Sequence, residues 1–283
     1  MRHAVLGVGG VGGILAAALA RAGADVTLIM RPATLAGYPG KLTVQSAVLG
    51  DFEVPVPAAT TLDVDVDVLW ITTKATQLAA ALSMAPPPRV EQGTVIPLLN
   101  GIDHLTLLRS RYAQVVAGAI RVESERVAVG QIRQRSPFLH VELAGAEPVA
   151  VELRAAGLDC LVRADEVSLL WEKLAFLAPL ALATSALDAP LGAVRADPRF
   201  AQCRDEALAV ARAEGADIDG PALRAAAGAA PDGMRSSMQK DVASGQAPEL
   251  DAIAGPIIRG GITHHIPTPI TEALSRLVLA RIG

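Results

Sequence analysis

Met1-Arg-His-Ala-Val-Leu-Gly-Val-Gly-Gly-Val-Gly-Gly13 opens the chain and decides how its first half is read. The short apolar run Ala4–Leu6 reads as a strand, and Gly7, Gly9 and Gly12 follow it in G-x-G-x-x-G spacing. Residues 14–22 read as an alanine-rich helix that stops at Gly23, and Val26–Met30 is a second apolar run. Strand, glycine turn, helix and strand in this order form the unit that binds a dinucleotide. Within it, Gly7 permits the tight turn, Gly9 lets a pyrophosphate approach the backbone, and Gly12 lets the helix pack close to the strand. The backbone of Gly7, Val8, Gly9, Gly10, Val11 and Gly12 is therefore the expected cofactor loop, with the pyrophosphate on the free N–H groups of the helix N-terminus. A glycine turn of purely structural use is the competing reading.

Moving outward, the end of the second strand is where an NAD-selecting fold places Asp or Glu for the ribose 2′-hydroxyl. This chain has Met30 and then Arg31 there. A carboxylate repels a 2′-phosphate, whereas a guanidinium grips it with paired hydrogen bonds, so Arg31 predicts NADP(H). The bland alternative is a solvated surface arginine. Two further apolar runs deliver polar residues at their carboxyl ends, where ligands bind in an open α/β sheet. Val68–Thr72 leads to Lys74, which suits a phosphate or carboxylate and equally suits the surface. Residues 93–99 lead to Asn100 and Gly101, an amide that can reach cofactor and substrate, or simply a turn.

Composition bounds the class. The 283 residues are 51% hydrophobic and 3% aromatic with a formal charge of −4, so the core is aliphatic and nothing suggests nucleic acid. Cys160 and Cys203 lack metal or disulfide spacing and read as buried thiols. His264 and His265 have no acidic or cysteine partner at metal spacing, so no metal site is expected. The acids Asp63, Asp65 and Asp67 lack the glycine and closing glutamate of a calcium loop. The first apolar run is already a strand and the stretch Leu174–Leu187 looks too short and Pro-interrupted for a bilayer. A cytoplasmic enzyme without membrane partners is the resulting expectation.

Residues 42–57 read as short strands around a Gly50-Asp51 turn, an excursion from the main sheet. A helix is predicted over Ala75–Ala85, closed by Pro86-Pro87-Pro88. Residues 115–143 read as later strands or a hairpin completing the sheet, Val149–Ala156 as a helix, and Leu158–Val162 as the last strand. Beyond Asp165-Glu166 only helices are evident: 167–187, 197–214, 221–227, 236–244, 249–259 and 269–282. The fold class is thus α/β: a Rossmann-type dinucleotide-binding domain over 1–165 followed by an all-α domain over 166–283, with chemistry expected in the cleft between them. In the helical half, Lys173 sits among Leu169, Leu170, Leu174 and Leu177. It either snorkels to solvent or faces a cleft where desolvation makes it a usable proton donor.

The glycine loop, Arg31, Lys74, Asn100-Gly101, Trp171-Glu-Lys-Leu174 and the segment from Ser236-Ser-Met238 through Asp241, Gly245, Glu249 and Ile253 to Gly255 occur in order along the chain. Together they resemble the ketopantoate reductase (2-dehydropantoate 2-reductase) family. The resemblance implies NADPH-dependent reduction of a small 2-oxo acid to the 2-hydroxy acid, a step of pantothenate biosynthesis in that family. It implies Lys173 as general acid, and Glu249 near the nicotinamide ribose, orienting the site. Ser237 is implied as a substrate ligand, Asn100 as lying between cofactor and substrate, Lys74 as lying near the cofactor, and Arg31 as lying on the 2′-phosphate. Hydride addition to a 2-oxo carbon leaves an alkoxide, which a positioned ammonium stabilises and protonates.

The chain departs from that family at three places. Leu177 and Ala181 stand four and eight residues after Lys173, and Met234 stands three before Ser237, where the family commonly has asparagines. Residues at i, i+4 and i+8 share a helix face, so Leu177 and Ala181 are expected to give the substrate an apolar wall that Pro179 bends. Losing amides forfeits discrimination for hydroxyls, which predicts a less hydroxylated tail than that of ketopantoate. The alternatives are a 3-hydroxyacid or 6-phosphogluconate-type dehydrogenase, and an NADPH-binding sensor that has lost catalysis. The only partners expected are the small substrate and, as an open option, a second copy in a homodimer.

Overall fold

Strand β1 (Arg2–Leu6), helix α1 (Gly10–Arg21) and strand β2 (Asp25–Ile29) follow one another as the opening stretch predicts in the computed structural model, which describes residues 1–282. The last residue of the expected helical domain, Gly283, lies outside the described residues. Helix α1 ends in a left-handed cap: Gly23 has φ +91°, and Ala24 N–H donates to the Leu19 carbonyl at 3.1 Å. The chain continues through α2 (Pro32–Leu35), β3 (Lys41–Ser46), β4 (Phe52–Pro55), β5 (Ala58–Ala59), β6 (Val68–Ile71), α3 (Leu78–Ala81) and β7 (Thr94–Pro97). Then come α4 (His104–Arg109), β8 (Gly118–Arg121), β9 (Ser124–Ala128), β10 (Gln131–Gln134), β11 (His140–Ala144), α5 (Glu147–Ala155) and β12 (Asp159–Arg163).

The main sheet has five parallel strands in the order β5-β2-β1-β6-β7. All four residues of β6 are buried, as expected of a parallel strand covered on both faces. Leu6 pairs with Ile29 on one side and Ile71 on the other, and Ile71 pairs with Pro97. This register brings the carboxyl ends of β1, β2, β6 and β7 level.

Two corrections concern the rest of this half. Residues 115–143 add no strand to the main sheet, although Val115 forms an isolated parallel bridge to Val95 of β7. Strands β9 and β10 form a hairpin that joins β3 and β4 in a separate sheet of order β4-β3-β10-β9, while β8 and β11 pair with β12 in a third. The apolar helix α1 explains this: Gly12 through Leu19 are buried, because its second flank is covered by that four-stranded sheet. Residues 75–85, expected as one helix, break into a 3-10 turn at Ala75–Gln77, the single turn α3, and another 3-10 turn at Leu82–Met84. With Leu78, Leu82 and Ala85 the buried residues there, one short apolar stripe holds the segment and short turns suffice.

The helical half comprises α6 (Glu166–Leu187), α7 (Leu191–Arg195), α8 (Pro198–Ala213), α9 (Gly220–Ala229), α10 (Ser237–Ala243), α11 (Leu250–Thr263) and α12 (Pro269–Leu279). Asp197 and Asp219 cap α8 and α9 by accepting from Arg199 N–H and Ala222 N–H at 2.9 Å, and a proline follows in the first turn of each. Helix α6 corrects the expectation of a stretch too short to span a bilayer. It runs 22 residues, continuing through Pro179, and is long and apolar enough by composition alone. Its most apolar window is 72% buried inside the protein, as befits a core helix.

By contacts the chain forms two units: residues 1–99 with 104–166, and residues 100–103 with those from 167 onward. The short segment Asn100–Asp103 thus belongs with the helices although it follows a strand of the sheet.

Candidate active site

In the first unit the level strand ends place Gly7, Arg31 and the Thr72–Lys74 segment along one edge of the sheet. Gly7 is required twice over. Its φ is +97°, and a Cβ there would lie 2.7 Å from the Thr73 amide nitrogen. The Thr72 hydroxyl donates to the Gly7 carbonyl at 2.6 Å, tying the end of β6 to the turn. A Cβ at Gly12 would collide with the Gly7 carbonyl and the Thr72 hydroxyl. Gly9 differs: nothing lies within 4 Å of the space its Cβ would fill. The Thr72–Thr73 pair escaped the sequence reading, although its place just before Lys74 at a strand end was the available signal.

These features fit a dinucleotide. Helix α1 begins at Gly10 with no side-chain cap, so its first N–H groups await an acceptor. The open space over Gly9 is where a phosphate can approach. The Thr73 hydroxyl is buried at this turn without a hydrogen-bond partner. Arg31 is exposed two residues after β2, and Met30 before it is buried at 4% exposure. Lys74 is half-buried and starts the 3-10 turn after β6.

In the helical unit the segment 100–103 is pinned onto α11. Asn100 Nδ2 donates to Glu249 Oε2 at 3.1 Å, joining residues 149 apart in sequence. Gly101 has φ +81°, and a Cβ there would collide with the Ala252 carbonyl. Ile102 packs on the helical core, and the Asp103 carboxylate pairs with the Arg259 guanidinium, which also donates to Asp251 at 2.8 Å. Glu249 is 7% exposed, immediately before α11.

Lys173 and Leu177 are both half-buried on α6, with Leu177 packed against the helical core. Ala181, expected with them as a wall for substrate, is only 1% exposed and forms part of that core. Of the two serines, Ser236 is structural: it caps α10 by accepting from Gln239 N–H at 3.0 Å and bonds the Thr184 hydroxyl at 2.8 Å. Ser237, the first residue of α10, is exposed. Met234 packs in a satellite cluster with Leu180, Leu191 and Phe200. The helical unit therefore brings together Asn100 and Glu249, while the first unit brings together the glycine loop, Arg31 and Lys74.

The thiols lie outside both groups. Burial pushes Cys160 up to about 11 and Cys203 up to about 12, which keeps them protonated and inert.

Comparison with known proteins covers both halves. The model of the ketopantoate reductase PanE/ApbA family matches residues 3–143, and that of its C-terminal domain matches residues 167–281. A 2-dehydropantoate 2-reductase of Caulobacter vibrioides is 31% identical over 98% of this chain and 98% of its own. A PanE/ApbA family ketopantoate reductase from Ralstonia eutropha superposes with a TM-score of 0.87 at 28% identity, covering 100% of this chain and 98% of that one. A D-mandelate dehydrogenase solved with NADH and anilino(oxo)acetate shares the fold, with a TM-score of 0.88 at 23% identity and coverage of 100% and 98%. With both family models matched and a relative above 30% identity along nearly its whole length, this chain belongs to the ketopantoate reductase PanE/ApbA family.

Proposed function

We propose that this protein is an NADPH-dependent reductase of small 2-oxo acids whose tails are less hydroxylated than that of ketopantoate. The observation that carries the reading is the Asn100–Glu249 hydrogen bond, which assembles two polar residues from distant parts of the chain on the unit that also bears Lys173. Family membership supports the reaction class, because the relatives named above include 2-dehydropantoate 2-reductases. Gly7 through Gly12 hold the pyrophosphate on this reading, Arg31 holds the 2′-phosphate, and Lys74 adds a positive charge at the same sheet edge. Bound NADPH supplies the hydride.

The remaining work falls to the chain's own groups. As the carbonyl carbon takes up hydride, its oxygen gains the electron pair of the broken π bond, and the Lys173 ammonium donates the proton that neutralises it. The resulting neutral amine recovers its proton from solvent. Asn100 and Glu249 orient the reacting groups, and the Ser237 hydroxyl bonds the substrate. Leu177, in place of an amide on the Lys173 face, favours an apolar tail. Ala181 in turn removes an amide from the same face rather than adding a contact, since its methyl lies in the core.

The test is NADPH consumption against 2-oxo acids graded by tail polarity. Branched or aromatic tails are expected to give higher kcat/KM than ketopantoate. Efficient turnover of ketopantoate alone removes the substrate claim. Tight NADPH binding with no oxidation across the panel marks a sensor and removes the enzymatic claim.

A further inference from the structure

The hairpin β9–β10 touches the glycine loop, and its strand β9 sorts its charges by face. Side chains alternate across a strand, so Ser124 and Arg126 share one face while Glu125 occupies the other. On the first face, the Ser124 hydroxyl donates to the Gly10 carbonyl at 2.9 Å and Arg126 Nη1 donates to the Val8 carbonyl at 3.3 Å. Contact is close enough that a Cβ at Gly10 would collide with the Ser124 carbonyl. On the opposite face, Glu125 pairs with Arg133 at 3.7 Å and Arg135 at 3.0 Å.

Arg126 thereby stands apart from the arginines around it. Arg121 and Arg163 are paired with Glu142, and Arg133 and Arg135 with Glu125. Among the described residues Arg126 has no carboxylate partner; its one hydrogen bond is the long contact to Val8, and the side chain is exposed. An uncompensated guanidinium is therefore held beside the uncapped start of α1, whose own N–H groups and dipole favour an anion.

We infer that Arg126 is a ligand of the cofactor diphosphate, completing with the α1 N-terminus a site that the glycine motif alone does not describe. The inference rests on the reading of the glycine turn as a dinucleotide site. It assigns Arg126 and Arg31 to different phosphates: the diphosphate common to NADPH and NADH for Arg126, and the 2′-phosphate of NADPH for Arg31. The weak bond to Val8 is easily exchanged for a charge-assisted one when a phosphate arrives.

The test measures Kd for NADPH and NADH by nicotinamide fluorescence in the wild type and in Arg126→Ala, Arg126→Lys and Arg31→Ala, with thermal melts of the ligand-free proteins to check folding. Arg126→Ala is expected to weaken both cofactors by a similar factor of about ten or more, with Arg126→Lys in between. Arg31→Ala is expected to weaken NADPH alone. The affinity of Arg126→Ala should also depend less steeply on salt than that of the wild type, because one charge contact is gone. Unchanged affinity in folded Arg126→Ala overturns the inference while leaving the glycine-turn reading intact, and so does a loss confined to NADPH. If the folded wild type binds neither cofactor, the glycine-turn reading fails and the inference with it. If Arg126→Ala melts far below the wild type, Arg126→Gln, which keeps a side-chain donor to Val8, carries the same test.

Discussion

Asn100→Asp changes one atom type at the hydrogen bond that joins the loop 100–103 to α11. The wild-type amide donates to Glu249 Oε2 at 3.1 Å, and Glu249 is 7% exposed. The variant sets a second carboxylate in the same place with no donor between them. Two unit charges about 4 Å apart repel by about 4 kcal/mol at an effective dielectric near 20. The penalty is capped because one carboxyl can escape by binding a proton, at about 1.4 kcal/mol per pH unit. At pH 8 that escape costs an ordinary carboxyl more than about 5 kcal/mol, so the full loss of about 4 kcal/mol stands, which for a chain of this size lowers Tm by about 10 °C. The sign with pH is fixed: the shared proton is bound more tightly in the folded pair than in the unfolded chain. The penalty is therefore full in alkali and shrinks as pH falls through the raised carboxyl range. Asn100→Ala, which removes the donor without adding charge, should cost about 1 kcal/mol and show no such pH trend. Melting curves of the three proteins between pH 5 and 8.5 measure this. An Asn100→Asp protein that melts with the wild type at pH 8, or whose deficit grows on acidification, refutes the contact and the reasoning built on it.

Two further outcomes follow from other parts of the structure. Burial alone would raise the Glu142 carboxyl, but His140 and the guanidinium groups of Arg121 and Arg163, at 2.6 and 2.8 Å, outweigh it and hold it at about 2. Against an ordinary 4.5 this stabilises the fold by about 3 kcal/mol at neutral pH, so Glu142→Gln should melt lower at pH 7 and the deficit should fade as pH drops from 4.5 toward 2; a constant deficit in urea titrations across that range would count against it. Leu177→Asn should raise kcat/KM for ketopantoate relative to an apolar-tailed 2-oxo acid by about tenfold, at about 1 kcal/mol in stability for the half-buried leucine; a steady-state ratio that does not move would show that the position does not face the substrate.

The main sheet was legible because its signals are local. The first strand, glycine turn and helix lie within a few residues of one another, and the apolar runs at 68–71 and 94–97 announce buried parallel strands. The second sheet was not, because its defining pair, β3 with β10, joins Val44 to Ile132 in parallel register, and no short-range pattern encodes that partnership. The apolar flank of α1 was the physical clue, since a helix buried on both sides needs a second cover. In the helical half, caps such as Asp197 and Asp219 mark helix starts that periodicity places within a residue, whereas α11 runs to Thr263, four residues past its expected end, and the short α7 carries too few turns to show a period. The site divides the same way. Gly7, Gly9 and Gly12 declare their roles through spacing, whereas Asn100 and Glu249 meet only through the fold, and resemblance alone singled out Glu249. Ser236 and Ser237 are adjacent and chemically identical. Only the structure distinguishes the buried cap from the exposed hydroxyl. Arg126 carries no motif at all, and its interest comes entirely from the face of β9 on which it lies.

The decisive measurement is the turnover of Lys173→Ala with NADPH and the best 2-oxo acid of the panel, alongside its affinity for NADPH. Loss of the proton donor should lower kcat by about two to four orders of magnitude while the NADPH Kd stays within a factor of about three. A variant that turns over near the wild-type rate with cofactor binding intact would show that the proton comes from elsewhere and would contradict the proposed chemistry.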